Sequence, residues 1–253
     1  MNREQALAVE KRGLFDWLGI LGAAAPDSHV VDVEGVRGAI VPACPTRSIP
    51  NSVSYTDADS LAAGLDEVSA AYRDAGIQAW TVWAPDFDVQ AIELLTEAGH
   101  VHDGAPTAMT LELSEFEPQE DPSLEWSATG DAADLGRIND LAYGLPADTG
   151  MAAGLAAPGP ELTIYDARVG GDVACVLGTA DHGSDLGVYF VATDPNHQGA
   201  GLAGRLVRVA LAAAKERGLR TASLQSSARG KPVYEALGFV EHFQLQLYEK
   251  REL

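Results

Sequence analysis

The stretch LGVYFVATDPNHQGAGLAGRLVRVALAAAKERG, residues 186–218, constrains the fold more than any other part of the chain. Leu186 to Ala192 is an apolar run of strand length. Leu202 to Arg217 carries apolar residues at helical spacing and ends at Gly218. A strand that turns through glycines into a helix demands a layered α/β arrangement, because the helix must bury its apolar face on the sheet. The turn itself carries chemistry. A helix N-terminus presents unpaired N–H groups and a partial positive charge, which suit a phosphate or pyrophosphate. Small residues at Gly199, Ala200, Gly201, Ala203 and Gly204 let the backbone approach such an anion closely. Arg205 and Arg208 add local positive charge.

Gly199, Gly201 and Gly204 also spell G-x-G-x-x-G, the dinucleotide fingerprint, but its context fails. Thr193–Gln198 separate the glycines from the strand, and no acidic residue stands about 20 positions on. Too little chain follows for a dinucleotide-binding sheet.

Around this segment the second half predicts a short strand near 124–127, a helix from Asp131 to Tyr143, and strands near 162–168 and 173–180. Gly170-Gly171 between the last two is a hairpin turn. After the long helix come strand TASLQ, a helix around Lys231 to Leu237 and a final strand near 240–249. Ser114 to Ser123, with two prolines and four acidic residues, has linker composition and places a domain boundary there.

The first half repeats the end of this order. QAWTVWAP (78–85) parallels TASLQSS, and VQAIELLTEAGHV (89–101) parallels GKPVYEALGFV (230–240). TAMTLEL (107–113) parallels FQLQLYE, and a helix is expected at 57–75. A repeat of this length means two copies of one domain, at 1–117 and 124–253. Trp80 and Trp83 are expected to share one face of their strand as core residues, or to form an interdomain or ligand surface.

Composition bounds the rest. The chain is 46% hydrophobic, enough for packed cores, and no apolar run reaches membrane-spanning length. The N-terminus lacks an apolar signal segment, and Cys44 and Cys175 read as reduced core thiols without metal-ligand spacing. A cytoplasmic protein, monomer or homodimer, with no metal is expected; abundant Ala and Arg are what a GC-rich bacterial genome encodes. The net charge is −20, with 20 acidic against 6 basic residues in 1–120 and 17 against 11 in 121–253. That field opposes nucleic acid and anionic membranes and favours cationic partners such as amines.

V-A-T-x-P-x-x-Q-G-x-G-L-A, with Gln198, Gly201 and Ala203 at its defining positions, resembles the acyl-CoA motif of the GNAT superfamily of N-acyltransferases. Downstream, Tyr234 and Gly238-Phe239 match that family's Y-x-x-x-G-F, and the likeness covers about 130 residues. The resemblance implies an α/β (α+β) fold of two tandem GNAT-like domains, each a mixed, mostly antiparallel sheet flanked by helices. It implies acetyl-CoA as acyl donor and a small-molecule or protein amine as acceptor. By it, Val191, Ala192 and Thr193 meet pantetheine along a strand that splays from its neighbour. Gln198, Gly199, Ala200, Gly201, Leu202, Ala203 and Gly204 hold the pyrophosphate. A backbone N–H at or next to Val191 stabilises the oxyanion, and Tyr234 protonates the departing thiolate. Ser227 stands where many members place an Asn on pantetheine, which puts that contact in doubt.

The base stays open between Asp185, which aligns with a Glu base of histone-acetylating members, His182, His197, and water. Asn139, Tyr143 and Tyr189 are candidates for the acceptor pocket, with the loop Gly144–Pro160 beside them. In the first half Leu95 falls where Tyr234 stands, and TDADS replaces the phosphate motif with two acidic residues. That half is expected to keep the fold without the cofactor and to wall the acceptor site. A CoA-binding sensor or scaffold without catalysis is the alternative function.

Overall fold

The computed structural model describes residues 1–145 and 150–251. It opens with a helix that the repeat pattern does not reveal, α1 (Arg3–Leu21). Asn2 and Gln5 form a reciprocal capping box at its start, worth about 1 kcal/mol at such caps. The remaining elements of the first half are β1 (His29–Val33), β2 (Val36–Ile40), β3 (Ser52–Tyr55), α2 (Ala58–Asp74), β4 (Ala79–Pro85), α3 (Val89–Glu97), β5 (Val101–Gly104) and β6 (Thr107–Glu112). The second half contributes β7 (Glu125–Ser127), α4 (Ala132–Ala142), α5 (Met151–Gly154), β8 (Thr163–Val169), β9 (Asp172–His182) and β10 (Asp185–Thr193). Then follow α6 (Leu202–Glu216), β11 (Thr221–Ser226), α7 (Lys231–Glu235) and β12 (Val240–Arg251). The elements expected in the second half are all present. Residues 146–149 of the acceptor loop lie outside the described residues.

The strands form one path, β1-β2-β3-β4-β12-β6-β11-β10-β9-β8-β7, with β5 also on β12. Most neighbours are antiparallel. Each half has one parallel pair, β3 with β4 and β10 with β11, and both pairings are short.

The halves exchange their last strands. β6 leaves the first half and pairs with β11 from Thr221↔Glu112 to Ser226↔Thr107. β12 pairs with β6 through Val240 to Gln244, then continues along β4 from Leu245↔Pro85 to Arg251↔Ala79. The boundary at 114–123 therefore divides the chain but not the sheet. That segment is also held down. Phe116 is buried, its carbonyl accepts from Lys215 Nζ at 2.6 Å, and the Arg208 guanidinium lies 5.9 Å from its ring centre.

Both faces of the second-half sheet are covered. One face buries Leu186, Val188 and Leu224 under Leu206, Val207, Ala210 and Leu211 of α6. The opposite face buries Val176 and Tyr189 under Trp17 and Leu18 of α1 and Leu135 and Ile138 of α4. A helix from the first half thus completes the core of the second.

Trp80 and Trp83 do not share a face. Three positions apart on a strand, they point to opposite sides. Trp80 is buried against Tyr72, stacked at 4.7 Å, whereas Trp83 is half-buried and donates from Nε1 to Ser52 Oγ at 2.9 Å. No helix among the described residues is long and apolar enough to cross a membrane, and no cluster of three or more His, Cys, Asp or Glu is placed to hold a metal.

A fragment of residues 124–253 leaves the β11 edge unpaired and strips α1 from the opposite face. Expressed alone it should aggregate or remain unfolded, and co-expression with residues 1–123 should recover a soluble complex. Circular dichroism and gel filtration of the two preparations check this; a folded, monomeric 124–253 would contradict it.

Candidate active site

The site arises where two strands part. β10 and β11 pair only at Asp185↔Thr221, Leu186↔Ala222 and Gly187↔Ser223. Beyond that, β11 stays tied to β6 and β10 stays tied to β9, so the strands diverge. β10 also bulges. Its register against β9 shifts between Tyr189 and Ala192, and Phe190 adopts φ 52°, a left-handed conformation that costs a non-glycine residue about 1–2 kcal/mol. The opening is a cleft of about 870 Å³. Val188 to Val191 line one wall, Leu224, Gln225, Ser227 and Ala228 the other, and Tyr234 of α7 reaches in. The first half closes it with Leu14 and Trp17 of α1, Ile49 to Ser52 without Asn51, Trp83, and Gly104 to Pro106.

At the far end of β10 the chain passes through a short 3-10 turn, Pro195–His197, into the glycine loop. Gly199 and Gly201 have φ of 83° and 70°, and a Cβ built at either would meet nothing within 4 Å. The glycines are there for backbone conformation and open access, not to avoid a protein neighbour. Gly201 is the N-cap of α6 and no side chain caps the helix. The first N–H groups of α6 are thus left for a ligand or water. Gln198 Nε2 approaches the Thr193 carbonyl at 3.4 Å, and its Oε1 accepts from Arg229. Arg205 does not serve the loop as expected: it bonds Asp121 Oδ2 at 2.6 Å and Ser123 Oγ at 2.8 Å. Arg229, just after β11, is the cation that reaches Gln198. Sequence offered only its position between the two motifs.

Tyr234 is 8% exposed and lines the cleft, and its hydroxyl makes no hydrogen bond among the described residues. Burial, with the neighbouring Tyr143 and Cys175, pushes its phenol well above the ordinary range, so it holds its proton at any working pH. Ser227 lies at the cleft, with its Oγ accepting from the Gly230 N–H at 3.2 Å. Val191 lines the wall, Ala192 is buried, and Thr193 Oγ1 donates to Cys175 Sγ at 3.4 Å.

Asp185 sits elsewhere. It is buried at the closed end of the β10–β11 pair, where its carboxylate accepts from Thr221 Oγ1 and Ser223 Oγ, each at 2.6 Å. Burial raises its pKa and the two hydroxyl bonds oppose that rise. It is not among the residues lining the cleft. His182 is also buried, with Nε2 at 2.7 Å from the Tyr189 hydroxyl and Nδ1 at 3.3 Å from Asp16. Burial lowers its pKa, so the imidazole is neutral near pH 7. His197 is half-buried in the 3-10 turn, outside the cleft.

Of the acceptor candidates, Asn139 and Tyr189 are buried and Tyr143 is 69% exposed at the mouth; all three line the cleft. Tyr189 stacks on Trp17 with ring centres 3.9 Å apart and planes 7° from parallel. Arg47 also lines the cleft and pairs with the buried Asp140. Residues from α1 and from the 49–52 segment had no sequence motif to announce them.

The corresponding helix start in the first half is closed. Asp57 caps α2, accepting from the Ser60 N–H at 2.8 Å, and Asp59 stands in the first turn. An anion there would meet a carboxylate already in place. Leu95 is fully buried in the core of that half.

Residues 160–241 match the family model described as acetyltransferase (GNAT) domain. No curated protein matches the chain. Among solved structures, a GCN5-related N-acetyltransferase from Kribbella flavida aligns at TM-score 0.66 and 16% identity, covering 95% of each chain. One from Sphaerobacter thermophilus aligns at TM-score 0.59 and 13% identity, over 86% of this chain and 76% of its own. A tandem GNAT protein from the clavulanic acid biosynthesis pathway aligns at TM-score 0.57 and 14% identity, over 97% of this chain and 96% of its own. At these identities the likeness is one of fold. Residues 160–241 are thus similar to a GNAT acetyltransferase domain, within a GNAT-like fold that extends over nearly the whole length of the chain.

Proposed function

We propose that this chain transfers an acyl group, acetyl by default, from acyl-CoA to a primary amine within a ternary complex. The observation that carries this reading is the parting of β10 from β11 beside an uncapped helix start, with Tyr234 facing the gap. Two diverging strands leave backbone donors and acceptors that pantetheine's amides match, as a further strand would. Val191 on the cleft wall, Ala192 and Thr193 that follow it on β10, and Ser227 across the gap supply these contacts. Gln198, Gly199, Ala200, Gly201, Leu202, Ala203 and Gly204 hold the pyrophosphate on the N–H groups that open α6.

The chemistry follows from that placement. The amine nitrogen attacks the thioester carbon, and a backbone N–H at the bulge, at or beside Val191, receives the developing oxyanion. Tyr234 gives its proton to the sulfur as the C–S bond breaks. Asp185 ties β10 to β11 at the apex of the gap, a positioning role that its two hydroxyl bonds support better than proton abstraction.

Residues 1–117 act as a cofactor-less copy of the same unit and wall the acceptor side. Trp17, Trp83, Phe190, Ile49 and Met151 give that side an apolar character, and Asp103 is the one carboxylate among the described lining residues. Such a wall favours an amine carried on an apolar or aromatic body over a polycation.

Purified protein should release free thiol from acetyl-CoA when given an arylalkylamine, and far more slowly with spermidine or an aminoglycoside. If it binds CoA tightly yet no amine class yields thiol, a CoA-binding sensor is the correct reading. Gly201→Glu places a carboxylate at the anion site in open space. Calorimetry should then show CoA binding weakened at least 100-fold in a protein that still unfolds cooperatively, at a cost of about 1–2 kcal/mol for the φ of 70°. Tyr234→Phe should lower kcat by roughly 10²-fold or more with little change in CoA affinity; unaltered turnover would remove Tyr234 from the mechanism.

A further inference from the structure

Glu10 is a carboxyl in the buried stripe of α1, 1% exposed, among Ala6, Leu14, Trp17 and Leu18. The last three of those line the cleft. Its Oε2 accepts from Gln225 Nε2 at 2.6 Å, and Gln225 itself lines the cleft just beyond the last β10–β11 pair. Its Oε1 is fully shielded and has no hydrogen-bond partner among the described residues.

A packed core does not keep an unanswered carboxyl oxygen without cost, and a glutamine or leucine would fill the place more cheaply. The groups around it do not neutralise it. Asp185 on β10 repels it, its charge also acts on the Tyr189 hydroxyl, and beyond these lie neutral His182 and half-exposed Asp16. Arg12, on α1, acts on Asp185. No ion pair to Glu10 is found among the described residues. Glu10 does not itself line the cleft, but Leu14, Trp17, Leu18 and Gln225 beside it do, so a water at the inner end of the cleft is the protic partner that its shielded oxygen lacks.

We propose that Glu10 is the proton acceptor for the incoming amine, taking the ammonium proton through one water at the inner end of the cleft. This rests on the N-acyltransferase reading. The nitrogen loses two protons in becoming an amide. One passes to Glu10 and then to solvent when product leaves, and the other replaces the proton that Tyr234 gives to sulfur. The freed lone pair forms the N–C bond, and the C–S electron pair leaves with sulfur.

Burial raises the Glu10 carboxyl to about 8, with Asp185 adding to the rise and the Gln225 bond opposing it. That value suits a base that must accept a proton from an ammonium near neutral pH. The native carboxyl binds its proton more tightly than the unfolded one, so stability falls as pH rises from about 4.5 towards about 8. Glu10→Gln should therefore fold, and should match or exceed wild-type stability above pH 8.

The test compares wild type and Glu10→Gln with saturating acetyl-CoA and two acceptors, benzylamine and a less basic ring-fluorinated benzylamine. In wild type, kcat should rise along a limb near pH 8 whose position is the same for both amines. Glu10→Gln should lose about 10²-fold or more in kcat, lose that limb, and keep its affinity for CoA. Turnover retained by folded Glu10→Gln would overturn the inference. So would a wild-type limb that moves with the basicity of the amine, a result that needs no variant to fold. Wild type that releases no thiol with any amine would instead overturn the N-acyltransferase reading, and this inference with it.

Discussion

The divergence of β10 from β11 after three residue pairs is the constraint on which the rest depends. In a sheet, neighbouring strands separate only if each has a better partner on its other side. β10 has β9 along most of its length, and β11 has β6. The bulge at Phe190 turns the β10 backbone further and takes Val191 out of simple register with β9. The cleft is therefore not a hole left by missing side chains. It is a gap in the hydrogen-bond ladder, held open by the ladders on either side.

Strand exchange is what makes the outer ladder available. β6 belongs by sequence to the first half, yet it is the strand that holds β11 away from β10. β12 repays the exchange by filling the edge beside β4. α1 crosses in the same sense, with Trp17 stacked on Tyr189 beneath the gap. The second half alone thus has neither the strand that keeps the cleft open nor the helix that floors it. The first half shapes the cleft while the glycine loop and the uncapped start of α6 lie wholly in the second, so the two halves build the site together.

Much of the second half was legible because its signals are local. The glycine run, the Gly170-Gly171 turn and the strand-to-helix alternation each fix a short stretch, and each element formed near its expected place. What escaped was long-range. Nothing in TAMTLEL says that its partner is β11 rather than β4, because strand composition encodes a pleated surface and not a neighbour. α1 has no counterpart in the repeat, and Glu10 and Gly13 on its buried face are packed against Gln225 and Tyr189, contacts that local sequence does not encode. The local positive charge that Arg205 brings near the glycine loop is taken up by the acidic linker through Asp121, a partner that sequence proximity does not reveal. The two tryptophans of β4 stand an odd number of positions apart, so they take opposite faces and not the shared one expected.

The asymmetry between the halves reduces to how two helix starts are finished. α2 and α6 follow their strands in matching order, and both begin with unpaired N–H groups that favour negative charge. In α2 the protein supplies that charge itself. Asp57 sits on the Ser60 N–H, and its carboxyl is held below the usual carboxylate range chiefly by that bond. In α6 a left-handed glycine takes the capping place and offers no side-chain oxygen. On a chain of net charge −20, a second phosphate could not displace Asp57 without adding to a field that already repels it. At Gly201 there is no carboxylate to displace, and Arg229 is drawn in through Gln198. One residue type at one capping position distinguishes two similar helix starts: the first is already answered by a carboxylate, and the second carries no side-chain cap.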